Sequence, residues 1–454
     1  ADTAAMLSLR PHLVYIAEAV VDCIDINDTD KAAHAYEVFT LLFAVMPIVD
    51  CSEYTEESQA GDVSEEEYRL ILLSKRLKDI TLRFVEKTFA IIESFATNAP
   101  SSNGLETVGG IQDSEAAEKQ GSDECAMEHY INHAFSILMT HTDEKIGKAI
   151  CEKVLLFART SLLDNSTAAS IVMGMIGDCV SKQPACVDDF LEYIVNEIGE
   201  TVDEIAQKSE LVDGKAAWIA AIAPGFCSMK AKDIHDNFED LLGMAGRLLA
   251  CKNKIMYESG CSCLSTLVCC LLGTAPQWTP PDKRYAEGRT PSKLWGKMVY
   301  GLHTIQQWSH PVKADFEAVE KLLETSLFAE MTRLAKPDGL LREQLRKSLS
   351  IVLDIFPNLL EFAPMPKADL APIHHMRSNA LPPPLQQPTQ AYRQLAAGEI
   401  SFEGRNLRVA MLEIVEGLVA NEKCDDSQAL EILVSLIPKL EVIFNAKIIN
   451  LSMP

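Results

Sequence analysis

The sequence predicts an all-α solenoid of HEAT or armadillo type, a superhelical stack of helix pairs, and three observations carry that prediction. Apolar residues recur at three- and four-residue steps along most of the chain. Runs of alternating β-branched residues closed by hairpin turns are nearly absent. Helix pairs begin near positions 145, 184 and 231, at the spacing of roughly 40–47 residues expected of such units. A unit of two apolar-faced helices cannot hide its face alone, so neighbours must stack. No motif recurs strictly, so the repeat is one of structure. An all-α bundle with irregular connections is the alternative architecture.

Residues 1–96 hold helical repeats, including one long helix. Its start is a capping box: Ser64 can accept from the amide of Glu67, whose carboxylate can reach back to the amide of Ser64. Val63 and Tyr68 occupy the positions of a hydrophobic staple. Leu70, Leu73, Leu77, Ile80, Phe84 and Ile91 then share one face. The helix runs to about Phe95, on the order of 45 Å at 1.5 Å per residue. Residues 97–124 are rich in Ser, Gly, Asn, Gln and acids, with few large apolar side chains, and are expected to be a disordered polar insert.

HEAT-like repeats resume over 125–273. Ile146, Ile150, Val154 and Phe157 form one stripe and Val172, Met175, Ile176 and Cys179 the next, separated by the polar turn Asp164-Asn165-Ser166-Thr167. The following pair starts near Pro184, a residue suited to a first helical turn. Another starts near Lys232. An irregular Pro-rich loop is expected at 274–294, with Pro276, Pro280, Pro281 and Gly288, and repeats again over 295–363. A Pro-rich connector, 364–390, contains Leu381-Pro382-Pro383-Pro384 and reads as a stiff linker, with a docking ligand as the alternative. A last helix pair fills 391–454: Leu412, Val415, Leu418 and Val419, then Leu433, Leu436, Ile437, Leu440 and Ile443.

Charge and cysteine usage narrow the class. With 65 acidic against 41 basic side chains the formal charge is −24, which repels phosphate backbones and suits basic partners or simple solubility. The 13 cysteines are odd in number, and Cys179, Cys251, Cys269 and Cys270 sit among Val, Leu and Met as small hydrophobes do. That usage fits a reducing, intracellular compartment rather than a secreted disulfide framework. No signal peptide opens the chain. The longest apolar stretches, around 216–223 and 261–272, fall short of the roughly 20 residues of a membrane span, so a soluble protein is expected. The opening Ala1-Asp2-Thr3 and the closing Ser452-Met453-Pro454 both lie close to helical patterns, as expected of an excised piece of a longer chain.

Chemistry-bearing patterns are sparse. Cys261 and Cys263, with Cys269, Cys270 and Cys251 nearby, form the densest thiol group, but the spacing is that of a packed helix rather than of paired zinc turns. His129 and His133 stand four apart, the spacing of two metal ligands on one helix face; a zinc-protease pattern needs Glu at position 130, which is Tyr, and no third ligand is identifiable. His374 and His375 lie in the Pro-rich connector. Phosphate loops, nucleophile elbows and paired-carboxylate signatures do not appear. Glu53, Glu56, Glu57, Asp62 and Glu65 to Glu67 form an acidic run that reads as a solvated loop entering a helix, or as a face for a basic partner. Trp295 and Trp308 are expected packing anchors. The residues themselves therefore point to no catalytic, cofactor or metal site.

Four stretches, in order, resemble the proteasome activator complex subunit 4 family of large HEAT-repeat proteins. They are Met46-Pro47-Ile48-Val49-Asp50-Cys51-Ser52; Phe89-Ala90-Ile91-Ile92-Glu93-Ser94; Trp295-Gly296-Lys297 with Gln307-Trp308 and Pro311; and Ser348-Leu349-Ser350-Ile351-Val352 with the apolar run to Pro364. The resemblance places the chain in the middle of a much longer protein. It implies a non-catalytic scaffold in a helical dome that caps the core (20S) proteasome and promotes degradation without ATP or ubiquitin. It further implies acetylated histones or other basic proteins as partners, a link to DNA repair, and residence in nucleus and cytoplasm; the acidic charge and the short apolar stretches are what argue against direct nucleic-acid or membrane contact. Gate opening in that family uses a tail with a penultimate tyrosine, for which Ser452-Met453-Pro454 offers no match, and no functional residue transfers. A karyopherin-type transport receptor for basic cargo is the alternative. A third possibility is an enzyme built on His129 and His133.

Overall fold

The computed structural model describes residues 10–52, 65–98, 113–208, 214–251, 253–272, 275–278, 305–309, 312–322 and 325–326. Among these the chain is helical apart from one short strand pairing. It separates into two compact units, residues 1–190 with 278–306 and residues 191–277 with 307–454.

In the first unit α1 (Arg10–Val21), α2 (Thr29–Val45), α3 (Glu65–Asn98), α4 (Asp113–His141), α5 (Glu144–Thr160) and α6 (Ser166–Lys182) follow in order. Odd-numbered helices pack on one another, α1 on α3 and α3 on α5, and so do even-numbered ones, α2 on α4 and α4 on α6. The layers close where α1 meets α2 and where α5 and α3 meet α6. Two layers, each helix touching its second neighbour in sequence, are the stacking a helical-repeat array requires.

The sequence stripes supply the buried faces. Leu70, Leu77, Ile80, Phe84 and Ile91 of α3 are buried, as are Ile146, Ile150, Val154 and Phe157 of α5 and Val172, Met175, Ile176 and Cys179 of α6. Phe84 sits among Tyr36, Phe39 and Phe43 of α2, with ring centroids 5.7, 4.9 and 5.2 Å away in edge-on arrangements. The buried Tyr36 hydroxyl donates to Thr88 Oγ1 at 3.0 Å, so its polar tip is satisfied, and burial pushes its pKa up. Phe89 stacks on Phe157 at 4.1 Å, joining α3 to α5. Helix starts are capped by side chains: Asp28 for α2, Asp143 for α5 and Asn165 for α6. Asn165 also donates to the Phe95 carbonyl at 3.3 Å, tying the predicted polar turn to the end of α3.

The unit boundary falls inside α7 (Val187–Lys208), which follows a 3₁₀ turn at Pro184–Cys186. The second unit continues with α8 (Gly214–Phe226), α9 (Ala231–Asp236), α10 (Phe238–Ala250), α11 (Lys254–Leu272) and α12 (Lys313–Leu322). Helix α11 is its hub, packing on α8, α9, α10 and α12. In α8, Ala216, Trp218, Ile219, Ala220, Ile222 and Ala223 are all buried, so the apolar run seen in the sequence is a helix buried nearly all round. Ser259 of α11 donates to the Ala220 carbonyl at 2.6 Å. Gly260 lets α10 approach α11: a Cβ there would stand 2.9 Å from Leu248 Cβ and 3.1 Å from the Leu249 amide. Asp315 accepts from the Val312 amide at 2.7 Å, closing the first turn of α12, and meets His235 Nε2 at 2.6 Å.

Three expectations need correction. The disordered polar insert 97–124 is interrupted by helix: α3 runs through Asn98 and α4 already begins at Asp113. Ala, Glu, Lys and Gln are good helix formers, and a helix nucleated by its buried part extends at little cost through a polar stretch. The expected irregular loop, 274–294, opens with strand β1 (Ala275–Trp278), paired with β2 (Ile305–Ser309). Cys269 is exposed and Cys270 half-buried, because the 100° step per residue turns them away from Leu264, Leu267, Val268 and Leu271. The 364–390 connector, the final helix pair, Trp295 and most of 295–363 lie outside the described residues.

Candidate functional site

The stretch after α2 is bonded to several distant parts of the first unit. The helix stops where the Met46 amide donates to Leu42 and Pro47 follows. Ile48 then runs alongside the α4–α5 turn: its amide donates to the His141 carbonyl at 2.9 Å, and its carbonyl accepts from the Asp143 amide at 3.0 Å. Asp143 works in two directions. Its Oδ1 accepts from the Ile146 amide at 2.7 Å, capping α5, and its Oδ2 accepts from the Asp50 amide at 3.2 Å. One residue on, the Cys51 amide donates to Ser74 Oγ of α3 at 2.8 Å. Met46, Ile48, Val49 and Cys51 are buried. The segment thus clasps three helices of successive pairs and fixes their register. Local periodicity gave no sign of this clasp, because the bonds that Ile48, Asp50 and Cys51 make to other elements all join residues 23 or more apart.

The histidines and thiols singled out by sequence are placed as follows. His129 and His133 are both exposed on α4, with ring centroids 6.0 Å apart and planes 28° apart. Glu128 beside them accepts the Ser170 hydroxyl at 2.5 Å. Among the described residues no group of three or more His, Cys, Asp or Glu could hold a metal ion. Cys251, Cys261 and Cys263 are buried, and Cys263 hydrogen-bonds Cys227. Spacing could not have found that partner, 36 positions away. A second buried set, Cys151 with Cys179 and Cys186, joins α5, α6 and the 3₁₀ turn. Hydrogen bonding to a neighbouring thiol, then burial, raises the pKa of Cys186 and Cys227; for Cys151 the bond to Cys179 is the largest cause. Thiols kept neutral in this way are poor nucleophiles at neutral pH.

The acidic balance has a local expression in α7. Val187, Phe190, Leu191, Ile194, Ile198 and Ile205 are buried, while Asp188, Asp189, Glu192, Glu200, Asp203 and Glu204 are exposed. The acids line one solvent face for about 24 Å at 1.5 Å per residue. Lys215 flanks it, ion-paired to Glu197 at 2.7 Å, a contact that raises the lysine pKa. Of the acidic run noted in the sequence, residues 53–64 lie outside the described part, and Glu65 pairs with Arg69 at 2.7 Å. Among the described residues no helix is long and apolar enough to cross a membrane.

Comparison with known proteins matches this array to one family. A family model described as proteasome activator complex subunit 4, mid HEAT repeats region, covers residues 5–361. Proteasome activator complex subunit 4 of Xenopus laevis is 23% identical over 330 residues, 71% of this chain and 17% of its own length. The Bos taurus protein of that name is 22% identical over 454 residues, 94% of this chain and 23% of its length. For Homo sapiens the values are 22% over 361 residues, 75% and 18%. The chain spans about a fifth of the length of these curated relatives.

Proposed function

This chain belongs to the proteasome activator complex subunit 4 family, and we propose that it is a non-catalytic scaffold segment in the wall of a helical dome that caps the core (20S) proteasome. In this reading the full-length protein promotes breakdown of peptides and some unfolded or acetylated proteins without ATP or ubiquitin. The observation that carries it is the family match over residues 5–361, laid on a two-layer array of helices. Such an array offers a large, stiff surface, and the Ile48–Asp143 clasp keeps its repeats in register. The acidic face of α7 suits a passage or rim that attracts basic chains such as histones, since like-signed side chains on one face sum to a field felt over about 8–10 Å at physiological salt. Nucleus and cytoplasm are the locations this role requires. No observation favours the karyopherin-type alternative or an enzyme over it. Sedimentation of the full-length protein with purified core proteasome tests the proposal: co-migration is expected, and separate migration at all concentrations sinks it.

A further inference from the structure

The histidine pair of α4 is left unused by a scaffold role. We propose that His129 and His133 form an open two-ligand site for a borderline divalent transition ion such as Zn2+ or Ni2+. Imidazole suits these ions, and residues four apart on a helix stand one above the other on the same face. The backbone beneath them is fixed, since Met127, Ile131, Ala134, Phe135 and Leu138 of the opposite face are buried. Two imidazoles that bind one ion at about 2.0–2.1 Å have ring centroids roughly 5 Å apart at a tetrahedral angle and roughly 4.5 Å apart on adjacent octahedral positions. The 6.0 Å separation observed is wider than either by about 1 Å, a gap that rotation of the two exposed side chains closes without moving the helix.

The neighbours define what the site is not. Glu128 accepts from Ser170 through Oε1, the Tyr130 ring lies edge-on to His129 at 6.1 Å, and among the described residues no third His, Cys, Asp or Glu joins the pair in a group that could hold a metal ion. The remaining coordination positions fall to water or to a side chain of a docked molecule, which separates this site from a closed structural zinc centre. Both rings are exposed, so coordination disturbs no packing, and a chain of net charge −24 concentrates cations near its surface.

Calorimetric titration of Zn2+ and of Ni2+ into the whole reduced chain, with the exposed Cys269 changed by Cys269→Ser, tests the site. One ion per chain should bind. His129→Gln and His133→Gln should each weaken binding about tenfold or more, because either change removes the chelate. His34→Gln, at the exposed histidine of α2 that meets Glu37, should leave it unchanged. Absence of saturable one-to-one binding overturns the proposal, as does unaltered affinity in either pair variant. Circular dichroism of each variant checks that the fold is retained, which surface substitutions should not alter.

Discussion

Replacing Asp143 by alanine removes two things at once, the cap of α5 and the acceptor for the Asp50 amide. Loss of an N-cap costs about 1 kcal/mol. An amide left without an acceptor in a part-buried setting adds about 1–2 kcal/mol. The sum is about 2–3 kcal/mol, equivalent to roughly 30- to 150-fold faster opening of the segment, since about 1.4 kcal/mol is tenfold. Asp28→Ala is the internal control. Asp28 caps α2 by accepting from the Lys31 amide at 3.0 Å, but it is exposed and bridges no second repeat, so only about 1 kcal/mol is expected. Native-state hydrogen exchange read by mass spectrometry gives both numbers, from peptides covering 46–52 and 144–150 in one variant and 29–36 in the other. The Asp143 effect should reach both of its peptides, although they are 93 positions apart at the bonded residues. Equal effects for the two substitutions, or faster exchange confined to α5, would refute the clasp.

Phe84→Ala should destabilise the first unit by about 3–5 kcal/mol, read as a lowered urea midpoint, because three rings of α2 lose their common partner. Gly260→Ala should destabilise by about 1–3 kcal/mol by forcing α10 and α11 apart, whereas Gly243→Ala in α10, where nothing lies within 4 Å of the new methyl, should stabilise by up to about 1 kcal/mol. Thermal unfolding that shows the same sign for both would contradict the packing described. Thiol labelling under native conditions should take Cys269 first and reach Cys151, Cys186 and Cys227 only on unfolding. Those three thiols have raised pKa values in the fold, so their contribution is complete below about pH 8.5 and is lost as pH rises further; a melting temperature unchanged from pH 8 to 11 would count against it.

Helices were legible wherever burial is one-sided. The three- and four-residue stripes of α3, α5 and α6 are the buried faces, save that Leu73 of α3 is half-buried, and Asn165 of the predicted polar turn is the cap of α6. What escaped is non-local or depends on context. The Asp143–Asp50 and Cys51–Ser74 bonds join distant residues whose types carry no periodic signal. The start of α4 was hidden because polarity argues against burial, not against helix, once a buried segment anchors the turn. Cys269 was misplaced because an apolar neighbourhood in sequence says nothing of the angular position around a helix. The histidine pair was visible as a spacing, while its ring separation and the engagement of Glu128 by Ser170 needed coordinates.

The central claim is that this array serves a proteasome activator. Hydrolysis of short fluorogenic peptides by purified core proteasome, with and without the full-length protein and with ATP omitted, tests it most directly. A several-fold rise in rate that saturates with the added protein is the predicted result. An unchanged rate at concentrations where the protein is shown to be folded and in excess would contradict it.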